Sequence, residues 1–205
     1  MSDEAPHIPG FMQQMGESIT KTSRTLDPAQ MAAFFTAILT AKRIYVTGAG
    51  RSGLVAKAFA LRLMHLGYDS YVVGETITPA FQKGDTLVIF SGSGETPSIV
   101  SIGGTARELS GTICVITAMP DSRIGMMADL IVNLGDPTGT YLHDKNSYEV
   151  LQLTGKYRSI TSAFAPLGTM FETMALVFSD AVISALMEAK KDEIAQIQDR
   201  LSNVE

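Results

Sequence analysis

The spacing of apolar positions changes along the chain, and each change marks an element. Met12, Met15 and Ile19 recur at helical spacing and predict an amphipathic helix up to about Ser23, behind a polar, proline-containing first ten residues expected to fray. Asp27 followed by Pro28 reads as a helix start, a capping carboxylate and then proline at the first helical position. Met31, Phe34, Phe35 and Ile38 give that second helix its apolar face. Short, continuously apolar runs then alternate with helical patterns. Ile44-Tyr45-Val46 is a strand, and a helix from about Ser52 to Leu66 follows, stopped by Gly67. Ser70 to Val73 and Thr86 to Phe90 are the next strands, and Thr96-Pro97 opens a further helix. Thr112 to Thr117 and Leu130 to Asn133 complete the strands, with a short helical turn near Arg123 to Met127.

Strands that are apolar throughout and separated by helices belong to a parallel sheet covered on both faces. The expectation is an α/β fold: a doubly wound five-stranded parallel sheet flanked by helices, in flavodoxin-like order. Two helices precede the first strand. Met170 to Met187, apolar on almost every side, is a long C-terminal helix buried in the core or between subunits. A charged helix from Lys190 to Leu201 follows. The chain reads as one domain over 1–205, with a helical extension (1–41), an α/β core (42–189) and a C-terminal helix (190–205). Gly135 to Ala165, rich in Gly, Ser, Thr, Lys and Tyr, reads as a long connection and hence a candidate flap.

Charge and composition narrow the classes. A net charge of −5 lacks the basic footprint of a nucleic-acid binder. The start of the chain has no secretory pattern, and no apolar run is expected to reach about 18 residues. A cytoplasmic protein with no membrane span is therefore expected. The single cysteine, Cys114, lies in the apolar run Ile113 to Ile116 and reads as a small core residue.

Candidate chemistry falls where strands run into helices. Ser91-Gly92-Ser93-Gly94-Glu95-Thr96 combines glycines, which let backbone amides approach an anion, with hydroxyl donors at a helix start. Gly48-Ala49-Gly50-Arg51-Ser52-Gly53 is a second such loop and carries a guanidinium. Its glycines match the dinucleotide fingerprint, but a lone match is a weak signal, and Glu75 is only permissive as the acidic partner. Neither loop has the Gly-Lys-Ser/Thr ending of a nucleoside triphosphate loop. A small phosphorylated ligand fits best, with a nucleotide or plain turns as the alternatives.

Together the two loops resemble the sugar isomerase (SIS) domain. Ala60-Leu61-Arg62-Leu63-Met64-His65-Leu66-Gly67, Val73-Gly74-Glu75-Thr76-Ile77-Thr78-Pro79 and Pro166-Leu167-Gly168-Thr169-Met170-Phe171-Glu172 extend the resemblance to the 6-phospho-3-hexuloisomerases. The resemblance implies interconversion of 3-hexulose 6-phosphate and fructose 6-phosphate without metal or organic cofactor. It also implies a homo-oligomer, a tetramer in most relatives, and pairing with 3-hexulose-6-phosphate synthase in formaldehyde fixation. Ser52, Ser91, Ser93 and Thr96 would contact phosphate, with Gly50 and Arg51 nearby. Glu172 and His65 would move protons. Glu75 and Thr76, after the second strand, would lie within reach of sugar hydroxyls. Relatives often end in His-x-Asn-Leu-Glu, whereas this chain ends Leu201-Ser202-Asn203-Val204-Glu205, so a C-terminal histidine has no counterpart.

Two of these residues carry competing readings. Thr169-x-x-Glu172 at the head of an apolar helix is also a capping box. His65 follows Arg51 by fourteen residues on one helix, about 21 Å at 1.5 Å per residue, so it either is structural or enters a neighbouring subunit's site. Glu95 would repel phosphate if aimed at it, and is expected to face solvent or orient a neighbour. His143 and Lys145 read as solvated loop residues. The rival functions are another SIS isomerase, such as one for arabinose 5-phosphate, and a non-catalytic phosphosugar-sensing regulator. Such a regulator would need a DNA-binding region, and the segment ahead of Ile44 is too short and too weakly basic to be one.

Overall fold

The computed structural model describes residues 8–135 and 169–190. The long connection, its His143 and Lys145, the Pro166-Leu167-Gly168 segment, the helix expected beyond Lys190 and the C-terminal pentapeptide lie outside the described residues.

Helices α1 (Ile8–Ser23) and α2 (Pro28–Thr40) come first, then β1 (Ile44–Gly48), α3 (Arg51–His65), β2 (Ser70–Val72) and β3 (Thr86–Phe90). α4 (Pro97–Glu108), β4 (Thr112–Thr117), a single 3-10 turn (Gly125–Met127), β5 (Leu130–Asn133) and α5 (Thr169–Ala189) complete the described chain. The pattern of apolar runs thus located every strand. α1 starts earlier than its apolar spacing suggested, so Ile8 to Gly10 are helical rather than frayed. The Asp27 cap is present: its Oδ1 accepts from the amides of Ala29 (2.8 Å) and Gln30 (3.4 Å).

The sheet is parallel throughout, in the order β2-β1-β3-β4-β5. Its core divides into two layers. On one face α2, α3 and α5 bury Phe34, Phe59, Leu63, Phe90, Phe171 and Ile183 in a continuous cluster. On the other, α4 and the 3-10 turn close over Tyr45, Leu87, Ile89, Ile113 and Ile124. α1 joins the first layer, where the Thr22 hydroxyl donates to the Met174 sulfur at 3.3 Å.

At the amino ends of the strands, Arg43 and Asp85 tie β1 to β3. Asp85 is almost fully buried and accepts from Arg43 Nε (2.9 Å) and Nη2 (2.5 Å) and from the Gln82 amide (2.7 Å). That carboxylate holds the Arg43 guanidinium above its ordinary pKa. The two glycine-rich loops lie at the opposite, carboxyl ends of β1 and β3.

α5 departs from the expected pattern. Met170–Ala189 is long and apolar enough, by length and composition, to cross a bilayer, and half of that window is buried in the fold. It is therefore a core helix with one face packed and the other, at Leu176, Val177 and Met187, exposed in the single chain.

Candidate active site

The order of the strands reverses between β1 and β3, and a ligand crevice forms outside the carboxyl ends of the strands at such a switch point. Register places the two loops side by side there: Gly48 pairs with Phe90, so the turns into α3 and α4 leave the sheet at one level.

The first loop closes on glycine backbone. A Cβ on Gly48 would lie 2.8 Å from the Ser52 carbonyl group, and one on Gly53 would lie 2.7 Å from the Gly48 oxygen. Gly50 precedes α3 at φ +57° and ψ −130°, a conformation closed to side chains with a Cβ. The strand consequently turns sharply and points the amino end of α3, with its partial positive charge, at the crevice.

In the Ser-Gly loop, backbone carbonyls are drawn away from the crevice. The Gly92 oxygen accepts from the Ala118 amide (3.2 Å) and the Thr117 hydroxyl (3.3 Å), and the Gly94 oxygen from the Ile124 amide (3.1 Å). Ser91 Oγ accepts from the Gly94 amide at 3.1 Å, and Ser93 Oγ from the Glu95 amide at 3.3 Å. Both hydroxyls keep their protons to donate. Among the described residues, the amides of Gly92, Ser93 and Thr96 have no acceptor. Thr96 occupies the cap position of α4 without using its side chain as a cap, so its hydroxyl also stays available. Free amides, three hydroxyls and a helix amino end form a receptacle for an anion.

α5 brings a carboxylate to this crevice. Phe171 packs on Gly92, so closely that a Cβ there would sit 3.0 Å from the ring. The next residue, Glu172, reaches the amino end of α3: Oε1 accepts from Ser52 Oγ at 3.3 Å, and Oε2 lies 3.2 Å from an Arg51 guanidinium nitrogen. This second contact is an ion pair by distance, and the same oxygen is buried without a well-aligned hydrogen bond among the described residues. Glu172 is only 19% exposed and Arg51 44%.

The expected residues therefore divide. Gly50, Arg51, Ser52, Ser91, Ser93, Thr96 and Glu172 converge on one crevice. Ser52 faces Glu172 in this structure, so its hydroxyl serves the carboxylate. Glu75 and Thr76 do not converge: both are exposed, and Glu75 pairs with Lys57 Nζ at 2.5 Å on the flank of α3. His65 sits at the far end of α3, 5% exposed, and neither ring nitrogen has a partner among the described residues. Glu95 turns away from the crevice and binds Arg123. Sequence reasoning assigns neither the Phe171 nor the Arg123 side chain a role in the site. The only signal for Arg123 is its place after β4, at the same end of the sheet.

A doubly wound domain whose switch point presents free amides, hydroxyls and a helix amino end beside a carboxylate is the class of α/β protein suited to a small anionic ligand. The SIS domain model matches residues 37–143. The chain is 43% identical to the 3-hexulose-6-phosphate isomerase of Bacillus subtilis over 75% of each protein. It is 33% identical to the one from Mycobacterium gastri over 98% of this chain and 99% of that protein. A Methanococcus jannaschii crystal structure, from which a 3-hexulose-6-phosphate isomerase function was inferred, superposes with a TM-score of 0.74 at 30% identity. That match covers 95% of this chain and 98% of the other. The chain belongs to the SIS domain family, among its 3-hexulose-6-phosphate isomerases.

Proposed function

We propose that this isomerase interconverts 3-hexulose 6-phosphate and fructose 6-phosphate through an enediolate, with Glu172 as the base. The observation that carries the proposal is the Glu172 carboxylate beside Arg51 and Ser52, one residue from the Phe171 contact with the Ser-Gly loop. Moving the carbonyl from C3 to C2 requires one proton to pass from C2 to C3 and another from the C2 hydroxyl to the C3 oxygen. One carboxylate on one face of the sugar can carry the carbon-to-carbon proton, and the second passes between the adjacent oxygens of the enediolate.

In this reading the phosphate sits on the free amides of Gly92, Ser93 and Thr96 and the hydroxyls of Ser91, Ser93 and Thr96. Ser52 fixes the orientation of Glu172. The Arg51 guanidinium lies close enough to stabilise charge that develops on the enediolate oxygens. His65 takes no part in its own subunit, because about 21 Å of helix separates it from Arg51. Its burial weighs against service in a neighbour's site.

A homotetramer in the cytoplasm, working beside 3-hexulose-6-phosphate synthase in formaldehyde fixation, completes the proposal. Leu54, Leu61 and Met64 form an exposed apolar stripe on α3 that a neighbouring subunit would cover. Arabinose 5-phosphate is the alternative substrate. The test supplies formaldehyde, ribulose 5-phosphate and the synthase, and reads fructose 6-phosphate through coupled reduction of a nicotinamide cofactor. Folded protein that forms no fructose 6-phosphate but isomerises arabinose 5-phosphate would overturn the substrate assignment.

A further inference from the structure

We infer that Arg123 is a positioning residue for the phosphate loop, neutralising the Glu95 carboxylate and holding the Glu95 carbonyl turned outward so that the loop can accept a dianion. The inference rests on the phosphate-loop reading above and assigns a role to a pair outside it.

Glu95 stands inside the anion-binding loop, where a carboxylate is electrostatically the wrong group. Two of its groups are bound from the turn after β4. Oε1 accepts from the Arg123 amide (2.8 Å), Oε2 from Arg123 Nε (2.7 Å), and the Glu95 carbonyl from Arg123 Nη2 (2.6 Å). One residue on, the Ile124 amide holds the Gly94 carbonyl at 3.1 Å. Two consecutive carbonyls are thus turned from the crevice by two consecutive residues. Rotating either peptide back would aim an oxygen lone pair at the phosphate.

The loop has little freedom to compensate. Gly94 adopts φ +64°, and a Cβ there would lie 1.8 Å from Ser122 Oγ, so the turn after β4 is seated directly on the loop. Isolated surface ion pairs contribute little. This one differs because the guanidinium binds both a carboxylate and a backbone carbonyl, and because Glu95 would act on the substrate's own charge. Removing the Arg123 side chain leaves the bond from its backbone amide to Oε1. The carboxylate would then stay in place, uncompensated.

Arg123→Met should raise KM for the phosphosugar, and the inhibition constant of inorganic phosphate, about fivefold at low ionic strength, as one uncompensated charge near a dianion would. kcat should change little. The ratio of variant to wild-type KM should shrink as salt is added, which a merely structural defect would not produce. Glu95→Gln combined with Arg123→Met should recover most of the lost affinity, because the charge needing compensation has gone. Wild-type KM in Arg123→Met, or a double variant no better than the single one, overturns the inference. Wild-type enzyme that phosphate fails to inhibit overturns the phosphate-loop reading itself. Circular dichroism and thermal melting keep misfolding distinct from either result.

Discussion

Replacing Glu172 by Gln removes the proposed base while keeping nearly the same shape. The amide oxygen can still accept from Ser52, now 3.3 Å away, and Phe171 still anchors the first turn of α5 on Gly92. What goes is the ion pair with Arg51, whose guanidinium is 44% exposed and therefore screened by water. Such a pair contributes at most about 1 kcal/mol. For a chain of this size that corresponds to a melting shift of about 2–4 °C. Loss of a general base, by contrast, removes about 10²–10⁴ in rate, or about 3–5 kcal/mol of transition-state stabilisation. Stability and catalysis should therefore separate clearly. The assay follows fructose 6-phosphate formation from synthase-generated hexulose phosphate, alongside incorporation of solvent deuterium at C3 of the product. Both signals should fall together in Glu172→Gln, with KM little changed. A variant that turns over within tenfold of wild type, or still exchanges deuterium at the wild-type rate, refutes the assignment of the base.

Further outcomes follow from single residues. Gly50→Ala meets no atom within 4 Å, so its cost is backbone strain alone at φ +57°, about 1–3 kcal/mol; urea unfolding should register this, and an unchanged midpoint would show that the turn relaxes. Burial pushes the Cys114 thiol from 9.0 up to about 12. The native protein should resist thiol reagents at pH 8. Because the folded-state value is the raised one, the contribution is complete below pH 9.0 and is lost between there and about 12. Cys114→Ala should flatten the decline of stability over that window, and an identical decline in both proteins would exclude the thiol as its source. His65→Leu should keep kcat within about threefold, since catalysis needs a group within hydrogen-bond reach of the substrate. A loss of a hundredfold in folded protein, restored by mixing with Glu172→Gln chains, would return His65 to the chemistry across a subunit boundary.

Local chemistry made much of this molecule readable before any coordinates. Continuous apolar runs placed the central strands β1, β3 and β4 because these are buried on both faces, and Asp27-Pro28 fixed a helix start through contacts only two and three residues away. The two candidate anion loops were legible for the same reason: glycine and hydroxyl groups act within a single turn. What stayed hidden depends on distant segments meeting. Glu95 and Arg123 are 28 residues apart, and Glu172 and Ser52 are 120 apart. Neither pairing has a local signature. Thr96 matched the cap pattern in sequence, yet its hydroxyl is uncommitted as a cap because the loop before it is shaped by Ser91 and Ser93. Glu75 could be placed after β2, but Lys57 claims its carboxylate, a choice set by the packing of α3 against the strand.

On the proposed roles, the Phe171 ring resting on Gly92 would tie the grip on phosphate mechanically to the placement of the base. A phosphate settling into the loop would press on the same backbone that supports the first turn of α5, so the handle of the substrate would set the aim of the carboxylate. A sugar without its phosphate would lose more than affinity: it would meet a base held out of line, and its turnover number would fall along with its binding. Excess of such a sugar could fill the crevice without repairing the aim. The non-reacting end of the molecule would then act as the key that arms the reacting end.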